Sequence, residues 1–286
     1  MKIIRSLTEA QNLTSRLRKN KIIGFVPTMG YLHKGHLSLV KIARKKADIV
    51  FVSIFVNPLQ FGPGEDYERY PRDIKRDEKL CREAGVDYIL YPKAKDMYPE
   101  DHASFAVVEN ITDILEGKIR PGHFKGVTTV VMKLFNIVQP HFAVFGQKDA
   151  QQAAVIRKMV KELNLNLKII IGKTIREPDG LAMSSRNVYL NPEERKNGTV
   201  LYEALCLAKD FIEEGSGDIN FIKDEMTKMI MSKLYVTNID YIAFNEYGTL
   251  KSIDSLKKLP KKTEILISLA VRIGKIRLID NIVIKY

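Results

Sequence analysis

Cysteine is scarce in this chain: Cys81 and Cys206 are the two among 286 residues, far apart and with no C-x-x-C partner. This excludes a disulfide framework and a cysteine-built metal site, and it suits a reducing compartment. Long apolar runs are also missing. The longest, Ile49 to Val56, falls far short of the roughly 20 residues that a membrane-spanning helix needs, so no membrane partner is expected. The N-terminus, M-K-I-I-R-S-L-T-E-A-Q-N, turns polar within a few residues and lacks the apolar core and cleavage site of a secretory signal. The cytoplasm is therefore the expected location. Acidic residues are outnumbered, 34 against 46 basic ones, which leaves a net charge of +12. Such an excess raises nucleic acid as a partner, yet no RNA-binding motif or basic helix with interleaved aromatics accompanies it. The lysines of 41–46 and 257–262 read as solvated faces, with part of the positive field aimed at an anionic small substrate, and no nucleic-acid partner is expected.

What is present is an ordinary globular composition, 45% apolar and 28% charged, in a chain long enough for one large or two ordinary domains. A short amphipathic helix is expected over Ser6 to Asn20. Strand-like runs follow from Ile22 and at Ile49 to Val56, Tyr88 to Tyr91, Phe142 to Phe145 and Lys168 to Ile171. Helical patterns occupy Asp73 to Ala84, Val127 to Val138 and Asp149 to Leu163. This alternation predicts an α/β fold, a doubly wound parallel sheet covered by helices on both faces. Further on, Asn191-Pro192-Glu193-Glu194 carries a cap, a first-turn proline and first-turn acids, so a helix is expected from there to Glu214, ended by Gly215-Ser216-Gly217. A helix near Asp218 to Leu234 and strands at Asp240 to Phe244, Glu264 to Val271 and Ile276 to Ile284 predict a second, smaller α+β domain. The division is expected between residues 1–175 and 176–286.

The stretch from Ile22 to His36, I-I-G-F-V-P-T-M-G-Y-L-H-K-G-H, organises the rest. A β-branched run is followed by Pro27 and Gly30, read as breaking the strand, and then by the helical pattern of Leu37, Leu39, Val40 and Ala43. A helix start after a strand offers unpaired N–H groups and a dipole that favour a phosphate. His33 and His36 sit there, flanked by Gly30 and Gly35. The two glycines have P-loop spacing, but His36 and Leu37 stand where that motif needs Lys and Ser/Thr. A structural zinc site would want four N or S donors, which are not at hand.

Three more polar clusters fall at strand ends, where open α/β sheets bind ligands. Asn57 and Gln60 in N-P-L-Q-F-G are neutral amides able to bond a hydroxyl, carboxylate or amine, although Asn-Pro is also a common turn. Lys148 and Asp149, with Gln152 one turn on, offer a compact cation suited to phosphate, or simply a solvated turn. Ser184, Ser185 and Arg186 combine hydroxyls with a planar cation, a polyphosphate clamp or else a cap with a surface arginine. Asp77 could support a magnesium ion through water, but Asp73 to Glu78 reads equally as an exposed helix face.

Taken in order, P-T-M-G-Y-L-H-K-G-H, F-V-N-P-L-Q-F, G-Q-K-D-A-Q-Q and D-G-L-A-M-S-S-R-N, with L-I-D-N-I at Leu278 to Ile282, resemble the pantothenate synthetase (pantoate–β-alanine ligase) family over nearly the whole chain. The H-x-G-H element alone is similar to the wider class of nucleotidyltransferases that attack the α-phosphate. The resemblance implies a Rossmann-like first domain for nucleotide and pantoate, with the C-terminal domain closing over the site. It implies ATP-dependent condensation of (R)-pantoate with β-alanine through a pantoyl adenylate, with Mg2+ on the ATP phosphates and a homodimer. By the same matching Met29, Gly30, Tyr31, Leu32, His33, Lys34, Gly35 and His36 would bind ATP, joined by Gly146, Gln147, Lys148, Asp149, Ile175, Met183, Ser184, Ser185 and Arg186. His36, His33, Lys148 and Arg186 would be catalytic. Gln60 would contact pantoate and β-alanine, Gln152 would contact pantoate, and Asn57 is grouped with them. Gln147 and Ala150 depart from the commoner Glu and Tyr, and Tyr31 and Lys34 from Ala and Glu.

Overall fold

The structure is a computed structural model that describes residues 1–286 apart from the side chain of Lys258. It divides into two compact units, residues 1–147 with 155–173, and residues 148–154 with 174–286. The main seam thus falls at 173/174, and the excursion of 148–154 into the second unit departs from the expected continuous division at 175/176.

The first unit is built on β1 (Lys2–Ile4), α1 (Leu7–Leu17), β2 (Ile23–Thr28), α2 (Lys34–Arg44), β3 (Ile49–Ile54), α3 (Ile74–Glu83) and β4 (Tyr88–Leu90). Short helices α4 (Ala94–Met97) and α5 (Glu116–Ile119), then α6 (His123–Val138), β5 (Phe142–Gly146), α7 (Ala150–Glu162) and β6 (Lys168–Gly172) follow. The six strands form one parallel sheet in the order β1-β4-β3-β2-β5-β6. The chain leaves β2 toward β3 and β4 on one side and returns to β5 and β6 on the other, so strand order reverses beside β2.

Both sheet faces are covered, and strand alternation shows it. Phe25, Phe51, Ala143 and Phe145 point into a core with residues of α1, α6 and α7. Their neighbours Val26, Val50, Val52 and Val144 point into a second core with Leu39, Val40 and Ala43 of α2 and Cys81 of α3. A period of two within continuous apolar runs is what a strand buried on both faces requires.

The second unit contains α8 (Pro192–Asn197), α9 (Val200–Glu213), α10 (Ile219–Met231) and the strands β7 (Val236–Glu246), β8 (Glu264–Ile273) and β9 (Ile276–Lys285). The strands form an antiparallel sheet in the order β7-β8-β9. Ile265, Ile267, Leu269, Val271 and Ile273, alternate residues of β8, pack on Val200, Ala204 and Ala208 of α9 and Ile222, Met226 and Ile230 of α10.

Several local expectations are corrected. Pro27 does not break its strand but lies within β2, paired with Ser53 of β3. The register with β5 covers Gly24 and Phe25 alone, so the missing proline N–H faces no registered partner. The helix expected to run on to Glu214 is interrupted: the Asn191 capping box forms, but α8 stops at Gly198. There Leu201 and Tyr202 bond back three residues instead of four, which tightens the chain before α9. Helix α6 starts at His123, four residues before Val127: its first turn, His123-Phe124-Lys125-Gly126, follows Gly122 at φ 82° and holds a single large apolar side chain, too few for an apolar period to mark the onset. Strand β7 also begins earlier than Asp240, in half-exposed residues without alternation.

Candidate active site

The loop after β2 is held from both ends. Thr28 Oγ1 donates to the Ser53 carbonyl at 2.7 Å and accepts the Gly30 N–H at 3.1 Å. Gly30 adopts φ +87°, and a Cβ there would lie 2.9 Å from Ile54 Cγ2 and 3.0 Å from Asp77 Oδ2, so only glycine fits without strain. The next two N–H groups, of Tyr31 and Leu32, each donate to one oxygen of Asp77 at 2.7 Å.

Asp77 is only 1% exposed, which corrects the exposed-face reading of this part of α3. Burial pushes its carboxyl above the ordinary range, opposed by the Leu32 and Tyr31 N–H groups and by Arg76. Both oxygens accept from the loop backbone, which makes Asp77 an anchor of the loop.

His33 then caps α2. Its Nδ1 accepts the Gly35 N–H at 3.1 Å, and His36 Nδ1 accepts the His33 N–H at 3.3 Å, a reciprocal capping box made of two histidines. A nitrogen that accepts a hydrogen bond carries no proton, so both neutral rings are Nε2–H tautomers. The ring centroids are 4.0 Å apart. The motif therefore sets two N–H donors beside a helix N-terminus.

The loop after β3 forms a single 3-10 turn, Pro58–Gln60. Asn57 is 1% exposed and fully engaged: its Nδ2 donates to Gln60 Oε1 at 3.0 Å and to the Gly126 carbonyl at 3.1 Å, and its Oδ1 accepts the Tyr98 hydroxyl at 2.8 Å. Asn57 thus orients Gln60. The Gln60 amide nitrogen is turned to Met29 Sδ at 3.2 Å, a weak acceptor that a substrate oxygen can replace. Behind it, the Gln60 carbonyl meets His123 Nδ1 at 2.8 Å and Arg120 Nη2 at 3.4 Å. Arg120 is also bound by both oxygens of Glu65 at 2.7 Å. Burial and Arg120 lower the His123 imidazole to about 4, against the opposing pull of the Gln60 carbonyl, Glu65 and Glu116.

Gly146 ends β5 and Gln147 opens the 3-10 turn after it, both in the first unit. In the second unit Lys148 Nζ lies 3.6 Å from Asp149 Oδ1, and Gln152 follows in the first turn of α7. The Lys148 carbonyl accepts Asn281 Nδ2 at 2.8 Å. Next to Asn281, Asp280 holds Arg176 through two bonds of 2.5 and 3.0 Å, and Arg176 lies over the Tyr202 ring at 3.9 Å. Burial raises the Asp280 carboxyl, with Arg176 opposing.

Arg176 also pairs with Ala182 across a small hairpin, where the Met183 N–H donates to the Ile175 carbonyl at 3.0 Å. That hairpin delivers Ser184, whose Oγ accepts the Arg186 N–H at 3.3 Å, and the buried Ser185. Adjacent residues of β9 thus hold both the Lys148 turn and the hairpin leading to Arg186.

The candidates form two groups, one per unit: Met29 to His36, Asn57, Gln60, Gly146 and Gln147 in the first, and Lys148, Asp149, Gln152, Ile175 and Met183 to Arg186 in the second. The supporting residues Glu65, Tyr98, Arg120, His123, Gly126, Asp280 and Asn281 were not expected. Arg120 and His123 are signalled by an R-P-G-H start to α6, and Asp280 and Asn281 by an Asp-Asn pair inside the apolar strand β9.

Among the described residues no group of three or more His, Cys, Asp or Glu is placed to hold a metal ion. No helix of the described residues is long and apolar enough to cross a membrane.

Residues 2–283 match the family described as pantoate-beta-alanine ligase. A pantothenate synthetase of Caldicellulosiruptor bescii is 55% identical over 286 residues, covering 100% of this chain and 99% of that protein. The crystal structure of pantothenate synthetase from Thermus thermophilus is 43% identical with a TM-score of 0.90, covering 99% of both chains. A pantoate-beta-alanine ligase from Francisella tularensis, complexed with beta-gamma ATP and beta-alanine, is 36% identical with a TM-score of 0.80 and covers 99% of this chain and 97% of that one. A two-histidine helix cap on a parallel sheet, a buried amide after the next strand and full-length similarity of this degree lead to one assignment: the chain belongs to the pantoate–β-alanine ligase family.

Proposed function

We propose that this protein joins the carboxylate of (R)-pantoate to the amine of β-alanine, converting ATP to AMP and pyrophosphate by way of a pantoyl adenylate. The observation that carries the reading is the reciprocal His33–His36 cap, which commits both rings to donating from Nε2 at a helix N-terminus.

A carboxylate has a pKa near ~4 and is already ionised at neutral pH, so its attack on the α-phosphate requires no base. One pantoate oxygen bonds to the α-phosphorus while the bond to the bridging oxygen of pyrophosphate breaks. Positioning and charge neutralisation remain for the protein to supply. His33 and His36 would donate to the phosphates, with His36 as the polarising group. Lys148, Ser184, Ser185 and Arg186 would bear on the phosphate charge, and Met29 to Gly35, Gly146, Gln147, Asp149, Ile175 and Met183 would complete the nucleotide contacts. Gln60 and Gln152 would receive the acid substrate. Neutral amides there favour a carboxylic acid bearing hydroxyls over a phosphate-bearing acceptor.

In the second step the amine of β-alanine, with a pKa on the order of ~10 by analogy with lysine, must first lose a proton. The C–N bond then forms, the bond from the acyl carbon to the AMP oxygen breaks, and AMP leaves.

A magnesium ion fits this donor set on the phosphates of ATP, because that cation keeps few protein ligands when a polyphosphate is present. When bound there it would offset phosphate charge. A homodimer and a cytoplasmic setting belong to the same reading, the first checked by sedimentation of the purified protein.

The test is product analysis with ATP, pantoate and β-alanine. The expected result is AMP and pantothenate in equal amounts. A dinucleotide-like product, or AMP without an amide, would overturn the reading.

A further inference from the structure

Gln60 is held twice, at its side chain by a neighbour in the same turn and at its backbone carbonyl by residues some 60 positions on. Its Oε1 is fixed by Asn57, and its carbonyl receives a donor from the first residue of α6, His123. Helix and turn approach so closely that a Cβ on Gly126 would sit 2.2 Å from the Leu59 carbonyl oxygen and 2.6 Å from the Gln60 nitrogen.

The chemistry of the His123 ring is determined by its partners. A carbonyl can only accept, so Nδ1 carries the proton, and Nε2 is left to accept from Arg120 Nη1 at 3.2 Å. The charged groups facing this ring are Arg120 in the turn before α6, Glu65 in the loop beyond Gln60 and Glu116 of α5. The guanidinium is the nearest of the three to Nε2, and a protonated ring would set two donors and two positive charges against each other. His123 is buried, 9% exposed, and serves in one tautomer.

We propose that His123 is a positioning residue for the ligation: its Nδ1–H fixes the Gln60 carbonyl, and through it the direction in which the Gln60 amide nitrogen meets the acid substrate. The inference rests on Gln60 contacting pantoate as proposed above. His123 itself touches no substrate. The Glu65–Arg120 pair keeps its ring neutral and turned the right way.

The test compares His123→Phe, which keeps a ring but no donor, with His123→Asn, whose Nδ2 reproduces the reach of Nδ1, each alone and with Gln60→Ala. His123→Phe should raise the KM for pantoate by roughly tenfold or more, with the KM for ATP within about twofold, since a displacement of about 1 Å can cost a factor of this size. His123→Asn should recover most of the loss. On the Gln60→Ala background, His123→Phe should add little. The inference is overturned if both KM values rise together, if Asn does not recover, or if the two substitutions add in full.

Should His123→Phe fail to fold, His123→Asn against His123→Gln decides, because a glutamine amide reaches the Nε2 position and should not recover. Should the unsubstituted protein form no pantothenate, the ligase reading falls. The positioning claim is then decided by NMR of the Gln60 side-chain amide, which should shift in His123→Gln and stay in His123→Asn; equal positions in both would refute it.

Discussion

The loops that follow β2 and β3 leave neighbouring strands at the same edge of one sheet, yet they are held in different ways. The first is largely self-made: His33 caps the Gly35 N–H and His36 the His33 N–H, all within four residues, and Thr28 turns the chain just before them. Two distant groups finish it, the Asp77 carboxylate and the Ser53 carbonyl that holds Thr28. The second depends on distant residues throughout, with Tyr98, Gly126, His123 and Arg120 all converging on the Asn57–Gln60 turn. Donors for a phosphate can be set by a short motif, because a helix N-terminus already supplies the field. An amide that must meet one substrate oxygen needs a fixed direction, which a three-residue turn does not provide alone.

The sharpest way to break this contrast is at the self-made loop. If His36 donates to the phosphates as proposed, His36→Ala should lower kcat roughly 10²–10³-fold, the scale seen when a single transition-state donor is deleted. The melting temperature should change little, as checked by calorimetry beside steady-state kinetics.

Asp77→Ala attacks the same loop from outside. It strands the Tyr31 and Leu32 N–H groups and should destabilise the fold by about 3 kcal/mol in urea titration, with the KM for ATP rising more than that for pantoate.

Gly126→Ala tests the other loop. Its methyl would collide with the Leu59 carbonyl, costing about 2 kcal/mol, and here the KM for pantoate should rise more than that for ATP.

The smallest effect is in the pH dependence. His123 falls from 6.5 to about 4 on folding, so the unfolded chain binds the extra proton and stability declines as the pH drops from 6.5 toward 4. Between pH 7.5 and 5.5 this group should account for about 1 kcal/mol of lost stability, a slope that disappears in His123→Asn.

What the sequence allowed to be read follows from the same contrast. The parallel sheet was legible because runs such as Ile49 to Val56 and Phe142 to Phe145 are apolar on both faces, as a doubly covered strand must be. The His33–His36 cap was legible because everything it needs lies within ten residues. Asn57 was read as a substrate contact, but its three hydrogen bonds reach Gln60, Tyr98 and Gly126, partners that only the folded chain brings near. Asp77 looked exposed in a charged helix, since nothing local reveals that two N–H groups from 45 or so residues earlier close on it. Asp280 and Asn281 carry a local signal, two polar residues in an apolar strand, but no pattern shows that they hold Arg176 and the Lys148 turn.

The most direct test of the ligase account is isotope exchange in the first half-reaction, with labelled pyrophosphate, ATP and the intact protein and with β-alanine omitted. Label should enter ATP only when pantoate is added. Exchange that proceeds equally well without pantoate, or none at all from folded protein supplied with pantoate and magnesium, would contradict the account.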